Sequence, residues 1–338
     1  MKHIKNTLYI LTPETYLCLQ NENILVKVGG EEKVRVPALG LEAVYCFGNV
    51  TVSTPLIAFC GERGISLCFF SEHGRFYGRI QGPVHGNVLL RRMQYSAMED
   101  PMCRTRLAKN ILLGKLTASK TFLQRMRREH LNCADAADIA IQRITEISAS
   151  AREAFTVDSL RGLEGAAASA YFGVMPALIG SSELSFSGRN RRPPEDPVNA
   201  LLSFLYTLLK NDVQSALEGV GLDPAVGFLH ALRPGRPALA LDLMEEMRAP
   251  LCDRMAIALI NRGQINLKDF TQTTAPVYLN ENGRKTVISA WQQRKQETIR
   301  HPFLEETIPI GLIAHTQAML FARVIRGELD EYPPFFWR

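Results

Sequence analysis

An α+β chain is expected: a small N-terminal β-sheet domain over residues 1–82, then a larger all-α domain over residues 83–338. Up to about Ile80, apolar and polar residues alternate with the period of two that a half-buried strand needs. After Gln81-Gly82-Pro83 the apolar spacing changes to three and four and keeps that helical period almost to Trp337. A length of 338 residues suffices for one large domain or two ordinary ones, each with its own core. Hydrophobic content of 46% beside 22% charged residues belongs to a soluble globular class and excludes a disordered one.

In the β part, Tyr16 to Gln20 and Ile24 to Val28 flank a turn at Asn21-Glu22-Asn23. Lys33 to Val36 returns after Gly29-Gly30, and Ile65 to Phe70 pairs with Arg75 to Ile80 across Ser71 to Gly74. Ala43 to Gly61, the longest uncharged stretch, reads as strand, turn, strand and the start of a helix at Thr54-Pro55 that Gly61 or Gly64 ends. Its polar residues argue against a membrane span. The expected role of this part is dimerisation or packing.

In the helical part, Asp100-Pro101 caps a helix reaching about His130, and a second runs from Ala136 to Ala154 with Asp135 as its cap. Arg91 to His130 carries ten basic residues against three acidic ones, an excess larger than the whole chain's net charge of +5. Such a stripe suits a phosphate backbone, with a solvated helix face as the plain alternative. Ser159 opens a helix in which Glu164 precedes a run of glycine, alanine and serine small enough to let another helix close in. Gly180 to Pro197 lacks periodicity and carries Arg189, Arg191 and Arg192, which makes it a mobile solvated loop or a clamp on DNA. Asn199 to Leu209 resumes a buried helix, and Ile310 to Ile325 is the last. The ending Tyr332-Pro333-Pro334-Phe335-Phe336-Trp337 is too aromatic for water and should dock on the protein or on a partner. Seven cysteines without a C-x-x-C pair fit reduced, mostly buried thiols. The apolar run near the start is too short for a signal peptide, so a cytoplasmic location is expected.

Gly221 to Arg248 gathers one histidine and four carboxylates around the start of an apolar helix. Asp223-Pro224 reads as the cap of a short helix that delivers His230. Arg233-Pro234-Gly235-Arg236-Pro237 breaks the chain, and a second helix starts at Pro237. On it Asp242, Glu245 and Glu246 fall three and four apart among leucines and methionines. Carboxylates buried there must be paired, hydrogen-bonded or bound to a cation. From these residues alone, acids complementing the helix dipole, or a solvated stripe paired with Arg248, remain open readings.

The stretch GLDPAVGFLHALRPGRPALALDLMEE (Gly221 to Glu246) closely resembles the signature of the CRISPR-associated integrases of the spacer-acquisition module, the Cas-one family. SLRGLEGAAASAYF (Ser159 to Phe172), RRPPEDPVNALLSFLYTLL (Arg191 to Leu209) and RGELDEYPPFFW (Arg326 to Trp337) agree with it in the same order, and the ending resembles the type I-C version. The resemblance implies that Glu164, His230 and Glu245 hold a divalent metal and that Asp242 is a further acid of that site. Two or three carboxylates suit hard Mg2+ or Mn2+, and one imidazole tilts the set toward Mn2+. A zinc hydrolase is disfavoured by the single histidine and the absence of cysteine ligands.

The implied reaction is a transesterification in which the 3′-hydroxyl of incoming DNA attacks the phosphodiester at the edge of a CRISPR repeat; with water the same site is an endonuclease. Arg233 and Arg236 flank the metal stretch and can steady phosphates. The resemblance also implies a homodimer, two of which grip a dimer of the small second CRISPR adaptation protein as a heterohexamer on a spacer-precursor duplex, with no membrane partner. A stand-alone metal nuclease for branched or damaged DNA and a non-catalytic DNA-binding scaffold are the rival readings.

Overall fold

Among the described residues of the first eighty, alternation produces eight strands and one α-helix. They are β1 (Asn6–Ile10), β2 (Thr15–Gln20), β3 (Asn23–Val28), β4 (Glu31–Pro37), β5 (Leu41–Phe47), β6 (Val50–Val52), α1 (Thr54–Arg63), β7 (Ser66–Phe70) and β8 (Phe76–Ile80). The computed structural model describes residues 6–72, 76–80, 82, 88–180, 183–184, 186–190, 193–271 and 276–337. Arg75, Gln81 and Pro83 of the expected strand and boundary lie outside them, as do Arg191 and Arg192. The expected α+β division is found, as two compact units: Met1–His85 with Leu279–Lys285, and Gly86–Tyr278 with Thr286–Arg338.

The β2–β3 hairpin turns on Asn21 and Glu22, whose φ values of 47° and 57° give a two-residue turn matching the twist of antiparallel strands. The first unit holds two four-stranded sheets, ordered β4-β3-β2-β6 and β1-β5-β7-β8. Three of the pairings, β1–β5, β5–β7 and β2–β6, are parallel, which local alternation does not announce. Leu17, Ile24, Val44, Cys46, Leu56 and Leu67 form its core.

The second unit contains α2 (Val88–Glu99), α3 (Pro101–Glu129), α4 (Ala134–Glu153), α5 (Val157–Phe172), α6 (Met175–Leu178), α7 (Pro197–Val220), α8 (Ala238–Met247) and α9 (Arg254–Asn261). It continues with α10 (Glu281–Gln296), whose first residues group with the β unit, β9 (Thr298–Arg300), β10 (Thr307–Pro309) and α11 (Ile313–Ile325). Asp100 caps α3 as expected, its carboxylate accepting from Met102 N at 2.9 Å. Asp135 does not cap α4; it lies in the first turn, where its charge complements the dipole. Between α8 and α9 a single π turn, Arg248–Asp253, absorbs Pro250, whose missing N–H would interrupt α-type hydrogen bonding.

Burial pushes the Cys46 thiol up to about 12, with Cys68 and Cys60 adding to it, so this thiol stays unreactive. Among the described residues, no helix is long and apolar enough to cross a membrane.

The aromatic tail docks on the protein itself. Tyr332, Phe335 and Trp337 are buried, and the buried Glu246 is their anchor. Its carboxylate accepts from Tyr332 Oη (2.6 Å), Gln317 Nε2 (3.0 Å) and Phe335 N (2.7 Å), while its carbonyl accepts from Trp337 Nε1 (2.9 Å). Gly114 of α3 admits the tail: a Cβ there would lie 2.7 Å from Pro334 Cβ.

Burial pushes the Glu246 carboxyl up to about 7, against hydrogen bonds from Tyr332, Phe335 and Gln317 that lower it. Its folded value thus exceeds the unfolded 4.5, so the stability it contributes is whole below pH 4.5 and lost as pH rises through about 7. That loss amounts to about 3 kcal/mol. Glu246→Gln, with no proton to lose, is expected to gain on the wild type by about that much between those limits in urea unfolding. Parallel stability curves for the two proteins would refute it.

Candidate metal centre

The segment ahead of α8 is not the short helix expected from Asp223-Pro224. Residues 221–237 form turns and bends without a helical run. The reason is competition for backbone groups. Phe228 N and Leu229 N donate to Asp242 Oδ2 at 2.6 and 3.1 Å, and His230 N donates to Asp242 Oδ1 at 2.9 Å. Pro224 O accepts from Leu239 N at 2.9 Å, capping α8, so it has no place in a local helix. Gln94 of α2 clamps the other side, accepting from Asp223 N and donating to the carbonyls of Asp223 and Val226. Arg161 Nε reaches Leu229 O at 2.6 Å. Gly227 is obligatory in this packing, since a Cβ would meet the Ala238 carbonyl carbon at 2.6 Å and Asp242 Oδ2 at 2.8 Å.

This arrangement fixes His230. Its Nδ1 lies 2.7 Å from Asp242 Oδ1, so when Nδ1 carries the proton, Nε2 presents its lone pair away from Asp242. Nε2 stands 3.8 Å from Glu245 Oε1. Asp242, fully buried, is thus occupied in orienting the loop and the imidazole, whereas Glu245 one turn on faces the cleft.

Glu164, on α5, reaches the same cleft. The ammonium of Lys115, on α3, is hydrogen-bonded to Glu164 Oε1 and lies 2.9 Å from Glu245 Oε2. Glu164, Lys115, Glu245 and His230 therefore form a continuous chain of polar contacts built from three helices and one loop. Lys115, Ser119, Glu164, Tyr206, Glu245 and Arg248 line the cleft. With the ammonium between the carboxylates, no group of three His, Cys, Asp or Glu side chains among the described residues is gathered closely enough to hold an ion. The donor set nonetheless fits a hard divalent cation: two carboxylates and an oriented imidazole, arranged where a positive charge already sits. Glu245 Oε2 is buried, and the Lys115 ammonium 2.9 Å away is its charged partner.

Burial by itself would raise the Glu245 carboxyl, but the charges of Arg248 and Lys115, with His230, outweigh it and hold Glu245 well below the usual carboxylate range. Arg248 NH1 lies 2.6 Å from Glu245 Oε1. Its guanidinium also stacks 4.3 Å from the Tyr206 ring centroid, and Tyr206 and Tyr171 both donate to the buried Asp253.

Lys115 was counted in the basic stripe. Its place in α3 among buried Ile111, Leu112, Leu116 and Ser119 is the signal that it faces inward. Much of that stripe is engaged within the protein. Arg104 donates to Phe228 O, Arg106 to Asp330 O and Lys109 to Arg152 O, while Arg125 and Arg127 pair with Glu129 and Asp138. Arg189 is half-buried, bonded to Asn199 Oδ1 at 2.6 Å and Ser203 Oγ at 3.1 Å, a tether within the fold rather than an open clamp. Arg233 and Arg236 bound a tight turn, with Arg233 exposed three residues after His230.

Comparison with known proteins adds three findings. Residues 8–293 match the sequence profile of the family described as CRISPR associated protein Cas1. A CRISPR-associated endonuclease Cas1 of Rhodospirillum rubrum is 49% identical over 350 residues and one of Chlorobaculum tepidum 46% over 343, each covering 100% of both chains. The structure of a Cas1 protein from Thermotoga maritima superposes with a TM-score of 0.85 at 23% identity, over 97% of this chain and 99% of that one.

Asp242→Ala strands three backbone N–H groups and is expected to cost about 3–5 kcal/mol in urea unfolding. His230→Ala removes a half-buried ring and should cost only about 1 kcal/mol. Equal losses would place Asp242 outside the framework of the loop.

Proposed function

This chain belongs to the Cas1 family of CRISPR-associated endonucleases, and we propose that it is a divalent-metal-dependent integrase that inserts spacer DNA into a CRISPR array. The observation that supports this reading is that Lys115 links Glu164 to Glu245, and that His230 Nε2 stands 3.8 Å from the other oxygen of Glu245. These three residues would hold Mg2+ or Mn2+. The bound ion would lower the pKa of the attacking 3′-hydroxyl and neutralise charge on the scissile phosphoryl and leaving oxygens.

The chain's own residues do the rest. Asp242 holds the imidazole with Nε2 toward Glu245, so that no ring rotation is needed when the site is used. Arg248 keeps Glu245 anionic and fixed in direction. Arg233, exposed on the turn that follows His230, is placed to meet a DNA phosphate, with Arg236 at the other end of the same turn. The β unit serves as the dimerisation or packing module. The small second adaptation protein bridges two dimers, and a cytoplasmic location follows from work on a chromosomal array.

A duplex with free 3′-hydroxyls is mixed with a repeat-bearing target, Mn2+ or Mg2+ and the small partner protein. Joined ends support the integrase; breaks without joining favour the stand-alone nuclease; no metal-dependent product at all favours a non-catalytic scaffold. His230→Ala and Glu245→Gln are expected to lower joining by about two orders of magnitude or more. Chelation should abolish it, with DNA binding retained. In a separate titration against salt, Arg233→Ala is expected to weaken DNA binding evenly across sequences and reduce the log–log salt slope by about one. An unchanged slope would place Arg233 away from the backbone.

A further inference from the structure

We propose that Lys115 is a built-in stand-in for the divalent cation: its ammonium occupies the position between Glu164 and Glu245 and leaves it when the ion binds, turning toward the DNA phosphodiester. The inference rests on the metal reading of the same cleft and deepens it.

The geometry marks Lys115 out from the neighbouring cation. Its side chain is 12% exposed and springs from the inward face of α3, yet its contacts are two carboxylates from two other helices. Arg248 is held by Glu245, by the Tyr206 ring and by the field of Asp253, and its planar fork suits that fixed setting. Lys115 has a flexible four-carbon stem and a charge that can be relocated. The ammonium bridges the two acids, bonded to Glu164 Oε1 and 2.9 Å from the buried Glu245 Oε2. Two carboxylates facing one another without a cation would repel, so the ammonium keeps the cleft assembled until the ion arrives.

The test compares wild type, Lys115→Met and His230→Ala for Mn2+ binding, read from the paramagnetic resonance of the free aquo ion. Removing the competing charge should tighten Mn2+ binding by about tenfold, as expected for a unit charge a few ångströms from the ion. His230→Ala should weaken binding. At saturating Mn2+, Lys115→Met should still join DNA ends more slowly. In the wild type, which needs no variant to fold, labelling of Lys115 with an amine reagent should rise severalfold when Mn2+ is added. Unchanged or weaker Mn2+ binding by Lys115→Met, or labelling indifferent to Mn2+, would overturn the proposal. A wild type that binds no Mn2+ would remove the metal reading itself, and this inference with it.

Discussion

Three carboxylates are buried on one ten-residue helix, and the second unit is built around the need to satisfy them. Asp242, Glu245 and Glu246 have exposures of 0%, 4% and 3%. An uncompensated charge in such a place costs several kcal/mol. Each is met by a different kind of partner. Asp242 takes backbone N–H groups and an imidazole, Glu245 takes two side-chain cations, and Glu246 takes the hydroxyl, amide and backbone donors of the C-terminal tail. Because the three residues project in different directions from α8, their partners have to come from different parts of the chain.

That requirement explains features that otherwise look unrelated. The 221–237 segment gives up a locally favourable helix because its N–H groups are needed by Asp242. The helix α3 carries a lysine on its buried face because Glu245 and Glu164 need a cation there. It carries a glycine one residue earlier because the tail, drawn in by Glu246, passes over it. The π turn after Met247 places Arg248 so that one guanidinium serves Glu245 and the Tyr206 ring together, with Asp253 held by two tyrosines behind it.

The α+β order, the β2–β3 hairpin, the Asp100 cap of α3 and the docking of the aromatic tail were all legible, because each is written in residues close together in the chain. The contact of His230 with Asp242 and its approach to Glu245 join residues that the resemblance had grouped. Periodicity alone could place Asp242, Glu245 and Glu246 on neighbouring positions of a helix but could not say which faced what. The parallel strand pairings were hidden because they join β1 to β5 and β5 to β7 across long separations. The failed helix at Asp223 shows the same limit: its cap and proline are real local signals, and the Asp242 carboxylate, nineteen residues downstream of Asp223, outweighs them. Lys115 was misread for a related reason. A charge count along α3 treats every cation alike, whereas helical phase separates the inward lysine from its outward neighbours.

The electrostatics of Glu245 restrict what it can do. Flanked by Arg248 and Lys115, it remains an anion far below neutral pH, so it has no proton to give and little tendency to take one. It is therefore poorly suited to act as a general acid or base. The imidazole is constrained differently: with Nδ1 engaged by Asp242, it has one nitrogen to offer, and the fold aims that nitrogen at the carboxylate whose charge is most firmly fixed. A firmly ionised Glu245 beside an imidazole held by Asp242 is better suited to gripping a cation than to shuttling protons.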